Sequence, residues 1–330
     1  MEKTVKNNNL KQVIMELTKV PEAALFSHVS PDGDGLGSML ALGIALESMQ
    51  KKVSFYNAGP IPNNLRLLPG IELINTSLPL DLPETLIFVD CAEAERAYSS
   101  IKSYFPGRKI INIDHHISNN FFGTYNWVDS QAAAAGEMVY KLIKKLDVTI
   151  TKEIAINLYS AIITDTGRFS FSNTTAKSFK IAAELVKAGI DLVAINNILF
   201  EQKTLAQTKL LKTALCNLEL LQGGIIAVIV LSRQDFQEAG AEENLSEGLV
   251  NYARNIENVE AAALLKEISD KEIKVSFRSN AWLDVNKIAA QFGGGGHVRA
   301  SGCTIYEPLD KAKKLVVSAL EEALELERHN

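Results

Sequence analysis

Four places in this 330-residue chain gather carboxylates and imidazoles. The first is His28-Val-Ser-Pro-Asp32-Gly-Asp34, and the second ends the apolar run Leu86-Ile-Phe-Val in Asp90. The third ends Ile110-Ile-Asn-Ile in Asp114-His115-His116, and the fourth is Thr164-Asp165-Thr166-Gly167. Read singly, each has an ordinary explanation: an Asx loop capping the next helix, a turn former, core histidines, a loop acid. Read together, they supply hard oxygens and imidazoles, the donor mixture that suits manganese or magnesium. Neighbours in an extended segment point to opposite sides, so Asp32 and Asp34 converge only if the backbone turns, as Pro31 and Gly33 allow.

These residues need a scaffold that brings strand ends together. Short β-branched or aromatic runs at 24–29, 53–56, 86–89 and 110–113 read as buried strands. They alternate with helical patterns at 37–50, 133–146, 152–163 and 175–188, the pattern of a parallel α/β sheet with flanking helices. Three of the four acidic clusters then leave C-terminal strand ends, where open sheets of this kind place their ligands. Asp165 follows a helix end, where a carboxylate gains nothing from the macrodipole.

After residue 189 the pattern loosens. A second series follows, with a helix at 205–221, a Gly223-Gly224 turn and strands at 225–231, 259–267 and 272–278. The expected organisation is therefore a catalytic α/β domain over 1–189, a linker over 190–204 and a smaller α/β domain over 205–330, with the site in the cleft between them. Length supports two domains, since one core rarely grows this large. The four glycines at 293–296 read as a loop that lets something approach the backbone closely.

A composition of 47% hydrophobic and 22% charged residues is that of a folded protein. The net charge of -5 argues against long duplex nucleic acid or an anionic membrane as partner. Cys91, Cys216 and Cys303 form no CxxC pair, which suits a reducing compartment and gives no zinc spacing. With a polar start and no run of about 20 apolar residues, the chain reads as cytoplasmic.

In order and content the four motifs resemble those of the DHH phosphoesterases, named for the triplet that stands here as Asp114-His115-His116. The resemblance covers nearly the whole chain, from HVSPDGDGLGS at 28–38 onward. The later Phe277-Arg-Ser279 and Phe292-Gly-Gly-Gly-Gly-His297-Val-Arg-Ala-Ser-Gly302 resemble the DHH-associated C-terminal domain. The combination is similar to the nanoRNases, oligoribonucleases that also dephosphorylate 3'-phosphoadenosine 5'-phosphate (pAp).

The resemblance implies two divalent cations, with Mn2+ expected ahead of Mg2+ or Co2+. One would be held by His28, Asp32 and Asp90, the other by Asp34, Asp90, His115 and Asp165, with Asp90 bridging. Asp114 would orient the imidazoles and His116 would face the substrate phosphate. Arg278, Ser279, Gly294, Gly295, Gly296, His297, Arg299 and Ser301 would bind a remote phosphate. Two departures stand out: Gly35 replaces an alanine common in relatives, and Ala135 replaces a hydroxyl residue often found before Gly136-Glu137.

Such a site activates water for in-line attack on phosphorus and neutralises charge on the phosphoryl oxygens. The implied function is an exonuclease that releases mononucleotides from very short oligoribonucleotides and converts pAp to AMP, with no long duplex and no membrane as partner and a homodimer allowed. The nearest rival is a phosphodiesterase of cyclic di-AMP or pApA. An inorganic pyrophosphatase shares the metal scaffold but not the arginine and glycine pattern of the second domain. A dead nucleotide-binding regulator would not keep an intact ligand set.

Overall fold

A computed structural model describes residues 7–328 and divides the chain after Gln202 into two units. The first begins with α1 (Leu10–Lys19), β1 (Glu22–Phe26), α2 (Gly33–Ser48), β2 (Lys52–Tyr56) and β3 (Ile74–Asn75). It continues with β4 (Thr85–Val89), β5 (Lys109–Asp114) and β6 (Tyr125–Val128). Then come α3 (Ala135–Lys145), α4 (Lys152–Asp165), α5 (Ala176–Lys187) and α6 (Leu192–Asn196). The six strands pair in parallel in the order β3-β2-β1-β4-β5-β6.

Both faces of this sheet are buried, and the period of the strands sorts the side chains. Leu25, Ile87, Val89, Ile111 and Ile113 pack with α2, α3 and α4. Phe26 and Phe88 face the other way, stacked at 4.9 Å between centroids, with Tyr56 on Phe26 at 5.4 Å. A continuous apolar run is what a strand buried on both faces requires.

α2 starts at Gly33 rather than at residue 37, with Asp32 as its cap: Gly35 N donates to Asp32 Oδ1 at 2.9 Å. The glycines here serve packing. A Cβ on Gly33 would lie 2.3 Å from Thr164 Oγ1, and one on Gly37 would lie 2.4 Å from the Asn157 carbonyl oxygen. α2 therefore lies directly against α4, which draws the first turn of one helix to the last turn of the other.

Residues 190–204, expected as a linker, are mostly helical. α6 runs into a π-helical turn at Asn197–Glu201, and Ile190, Ile195 and Leu199 join the first core. Aspartate and asparagine flanking short apolar pairs hide the helical period there.

The second unit comprises α7 (Leu205–Cys216), β7 (Leu218–Leu221), β8 (Ile226–Leu231), α8 (Arg233–Ala239) and α9 (Leu249–Arg254). It ends with β9 (Ala261–Ser269), β10 (Glu272–Ser279), α10 (Val285–Gln291), β11 (Gly295–His297), β12 (Ala300–Ile305) and α11 (Leu309–Arg328). Its mixed sheet has the order β11-β12-β10-β9-β8-β7, with only β8–β9 parallel. α10 and α11 cover the face bearing Val275 and Phe277, while α7, α8 and α9 cover the face bearing Ala262 and Leu264. The helix expected over 205–221 stops at Cys216, and its last residues form an edge strand. No helix among the described residues is long and apolar enough to cross a membrane.

Candidate active site

In the first sheet the strand order reverses between β1 and β4, and a crevice opens beyond the carboxyl ends of strands at such a switch point. His28 follows β1, Asp90 follows β4 directly, and Asp114 is the last residue of β5 with His115 and His116 beyond it. Asp32 and Asp34 start α2, and Asp165 ends α4. The chain thus delivers all these side chains to one place.

Their atoms meet closely. His28 Nε2 lies 3.5 Å from Asp32 Oδ2 and 3.3 Å from Asp90 Oδ2. His115 Nε2 lies 3.5 Å from Asp34 Oδ2, 3.4 Å from Asp90 Oδ1 and 3.7 Å from Asp165 Oδ2. Three groups bring their donor atoms within 4.8 Å of one another: His28, Asp32 and Asp90; Asp34, His115 and Asp165; Asp90, His115 and His116. Asp90 thus turns Oδ2 to one set and Oδ1 to the other. Its backbone is left-handed, with φ 59°, a conformation costing a non-glycine residue about 1–2 kcal/mol. Strain of that kind concentrates at functional sites.

The donors do not satisfy one another. Asp90 Oδ1 and His28 Nδ1 are buried with no hydrogen-bond partner among the described residues. Burial, with the charges of Asp90 and Asp165, pushes the Asp34 carboxyl well above its ordinary range. Burial also raises Asp165, to about 6. For Asp90 burial acts in the same sense, but His115 and His28 prevail and hold it below the usual carboxylate range. Burial opposes protonation of His28 and His115, yet the carboxylates around them prevail and raise each to about 10. Carboxylates crowded with half-matched imidazoles are the donor set that divalent cations resolve, so the residues present fit such ions.

The supporting contacts fix tautomers. Ala132 O lies 3.1 Å from His115 Nδ1, and because a carbonyl only accepts, Nδ1 carries the proton and Nε2 faces the acids. The expectation that Asp114 orients both imidazoles is corrected: its Oδ1 holds His116 Nδ1 at 2.8 Å, while His115 is held by a carbonyl. That hydrogen bond to Asp114 is the main reason the His116 pKa is raised. Asn119 Nδ2 donates to Asp114 Oδ2 at 2.5 Å, and no sequence signal marked this asparagine. Asp34 accepts from Ser38 Oγ at 3.0 Å and from the Ala135 and Gly136 amides at 2.6 and 2.9 Å. The α3 N-terminus thereby serves Asp34 through backbone groups, where the sequence drew attention only to the missing hydroxyl. At Gly35 a Cβ would lie 3.2 Å from His28 Nε2, so this glycine relaxes the packing around that imidazole.

In the second unit, Arg278 and His297 each oppose Ala300, from β10 and β11 on either side of β12. Arg278 borders a cavity of about 260 Å³ also lined by Lys266, Ser276 and Glu243. Burial, then the positive charge of Arg254, lower its pKa. His297 is exposed, and Ser279 is buried with no hydrogen-bond partner for its hydroxyl among the described residues. The glycine run is not simply a loop. Gly295 and Gly296 pair with Gly302 and Ser301, and a Cβ on Gly294 would lie 2.2 Å from the Gly302 carbonyl oxygen. What approaches these glycines is β12. Ser301 Oγ donates to the Val285 carbonyl at 2.6 Å, and the Arg299 guanidinium donates to the carbonyls of Leu283 and Ala281.

The DHH family N-terminal domain matches residues 22–162, and the DHHA1 domain matches residues 222–326. The bifunctional oligoribonuclease and PAP phosphatase NrnA of Thermus thermophilus is 35% identical over 95% of this chain and 94% of its own length. The protein of the same name from Bacillus subtilis is 29% identical over 92% of this chain and 96% of its own. A crystal structure of an exopolyphosphatase-related protein from Bacteroides fragilis superposes with a TM-score of 0.88 at 26% identity, covering 99% of both chains.

Proposed function

The chain belongs to the DHH family of phosphoesterases, hydrolases that act on phosphoester bonds, and from that premise we propose that it degrades very short oligoribonucleotides and converts pAp to AMP. The observation that carries the reading is the convergence of His28, Asp32, Asp34, Asp90, His115 and Asp165 at the switch point of the sheet. The relatives named above as oligoribonuclease and PAP phosphatase match it over nearly their full length.

We assign His28, Asp32 and Asp90 to one cation and Asp34, Asp90, His115 and Asp165 to a second, with Mn2+ as the ion. Asp90 suits the bridging position because its two oxygens already face the two sets. Paired divalent cations supply Lewis acidity to phosphoryl oxygens and make water nucleophilic at neutral pH. The remaining work falls to the chain. Asp114 holds His116 by Nδ1, so His116 Nε2 points away from the carboxylate and serves the substrate as donor. The same hydrogen bond raises the His116 pKa and so favours the charged form of that donor, which bonds an anionic oxygen more strongly.

In the second unit, Arg278, a charged group beside a cavity and near Arg254, is the best-placed anchor for a terminal phosphate, with exposed His297 across β12 from it. Arg299 and Ser301 act mainly by bracing the surrounding loop and hairpin. The chain is acidic overall and 7% aromatic, without the extended basic track that long single strands require.

The test is a panel of pAp, di- to pentanucleotides, a 24-mer, pApA and cyclic di-AMP, assayed with Mn2+. Highest kcat/KM on pAp and the shortest oligomers is expected. Equal kcat/KM on a 5-mer and a 24-mer, or a preference for cyclic di-AMP, would refute the assignment.

A further inference from the structure

Between the strand end that carries Arg278 and the hairpin that carries His297 lies a short loop, Asn280-Ala-Trp-Leu-Asp284, whose peptide groups are held by side chains from outside it. Glu260 is buried, and its carboxylate collects three backbone amides: Ala281 N at 3.1 Å, Trp282 N at 2.8 Å and Leu283 N at 2.8 Å. The Asn280 side chain donates to the carbonyls of Arg254 and Val259 at 2.8 and 2.7 Å. From the other side the Arg299 guanidinium grips the Leu283 and Ala281 carbonyls, and Asp284 caps α10. A buried carboxylate, an asparagine and an arginine are all committed to these few residues.

What the loop displays is Trp282. Trp282 is 44% exposed, although the peptide groups around it are pinned. The chain has two tryptophans, and the other, Trp127, is buried in β6. An indole on a fixed loop loses little entropy when it stacks, and stacking suits any nucleobase because every base has a π-face. The flanking segments supply hydrogen-bond donors, with the Arg278 guanidinium at the preceding strand end and the His297 ring in the following hairpin.

We infer that Trp282 is a nucleobase platform, on which one base of the substrate stacks. The inference rests on the hydrolase reading above and adds the residue that recognises the base. Glu260 and Arg299 hold the platform in place.

Tryptophan emission tests it directly in the full-length, metal-loaded chain, with wild type compared to Trp282→Phe and with binding followed separately by calorimetry. Titration with pAp should quench wild-type emission, ribose 5-phosphate should leave it nearly unchanged, and Trp282→Phe should lose the pAp response. Trp282→Ala should raise KM for dinucleotides about tenfold, with most of the effect in KM, and Trp282→Phe should recover most of it. If pAp binds and is hydrolysed without quenching, or quenches Trp282→Phe equally, the platform is wrong and the hydrolase reading survives. If pAp neither binds nor is hydrolysed, both fall together.

Discussion

Asp114→Asn isolates what the middle acid of the triplet does. Asp114 is fully buried between His116 Nδ1 and Asn119 Nδ2. The Asn119 amide is itself fixed: its Nδ2 also faces the Asn112 Oδ1 at 2.8 Å and the Cys91 carbonyl at 3.2 Å, and its Oδ1 accepts from Phe121 N at 2.7 Å. An asparagine at position 114 must therefore turn its oxygen to Asn119 and its NH2 to His116. That disfavours a proton on His116 Nδ1, so the ring holds its charged form less readily. The hydrogen bond that chiefly raised its pKa is gone. Outer partners of a site histidine commonly contribute 10–100-fold, so a drop of about 100-fold in kcat/KM on pAp is expected, about 2.7 kcal/mol of transition-state stabilisation. The sign on pH follows: removing the negative charge lowers the His116 pKa, so the alkaline limb of the pH profile moves to lower pH. Because Asp114 acts through His116, adding Asp114→Asn to His116→Ala should cost little more. Retention of more than half the wild-type kcat/KM, or a further hundredfold loss in the His116→Ala background, would refute this reasoning.

Gly37→Ala drives a Cβ to within 2.4 Å of the Asn157 carbonyl oxygen and should cost about 3 kcal/mol, read from the urea midpoint; an unchanged midpoint would mean that the α2–α4 contact is slack. His28 and His115 are raised from 6.5 to about 10, so in the metal-stripped chain their contribution to stability is complete below about pH 6.5 and lost as pH rises through about 10. The stripped protein should melt lower at pH 10.5 than at pH 7, and metal uptake at pH 7 should release protons, counted by calorimetry in buffers of different ionisation enthalpy; no release contradicts the ligand assignment. Glu260→Ala leaves three amides without their acceptor and should destabilise the second unit by about 3 kcal/mol, whereas an unaltered unfolding transition would show that water replaces the carboxylate at no cost.

Much of the first unit was legible because its sheet is buried on both faces. Buried parallel strands are uninterrupted apolar runs, and each acid that ends one stands out against it, as Asp90 does after Leu86-Ile-Phe-Val. β6 escaped because Asn126 interrupts its short run. The start of α2 escaped because Pro31 and Gly33 read as a turn, so the helix was expected only from Gly37, whereas in the structure Gly33 and Gly35 lie inside the helix and clear space for Thr164 and His28. That pressure comes from another part of the chain and leaves no local trace. The same holds for Gly294, shaped by β12, and for Asn119, whose role depends on a network that only the fold assembles. Side chains that reach the site from strand ends were readable, as was Asp114 behind His116, while Asn119 and the Ala132 carbonyl were not.

The central claim is that six side chains at the ends of β1, β4, β5 and α4 and the start of α2 bind two cations that the hydrolysis of pAp requires. Calorimetric titration of Mn2+ into the EDTA-stripped chain, with pAp hydrolysis followed on the same samples, tests it most directly. The account predicts two equivalents per chain, full activity only when both are bound, and loss of both from Asp90→Ala. Saturation at one equivalent with full activity, or hydrolysis that persists after EDTA treatment, would contradict it.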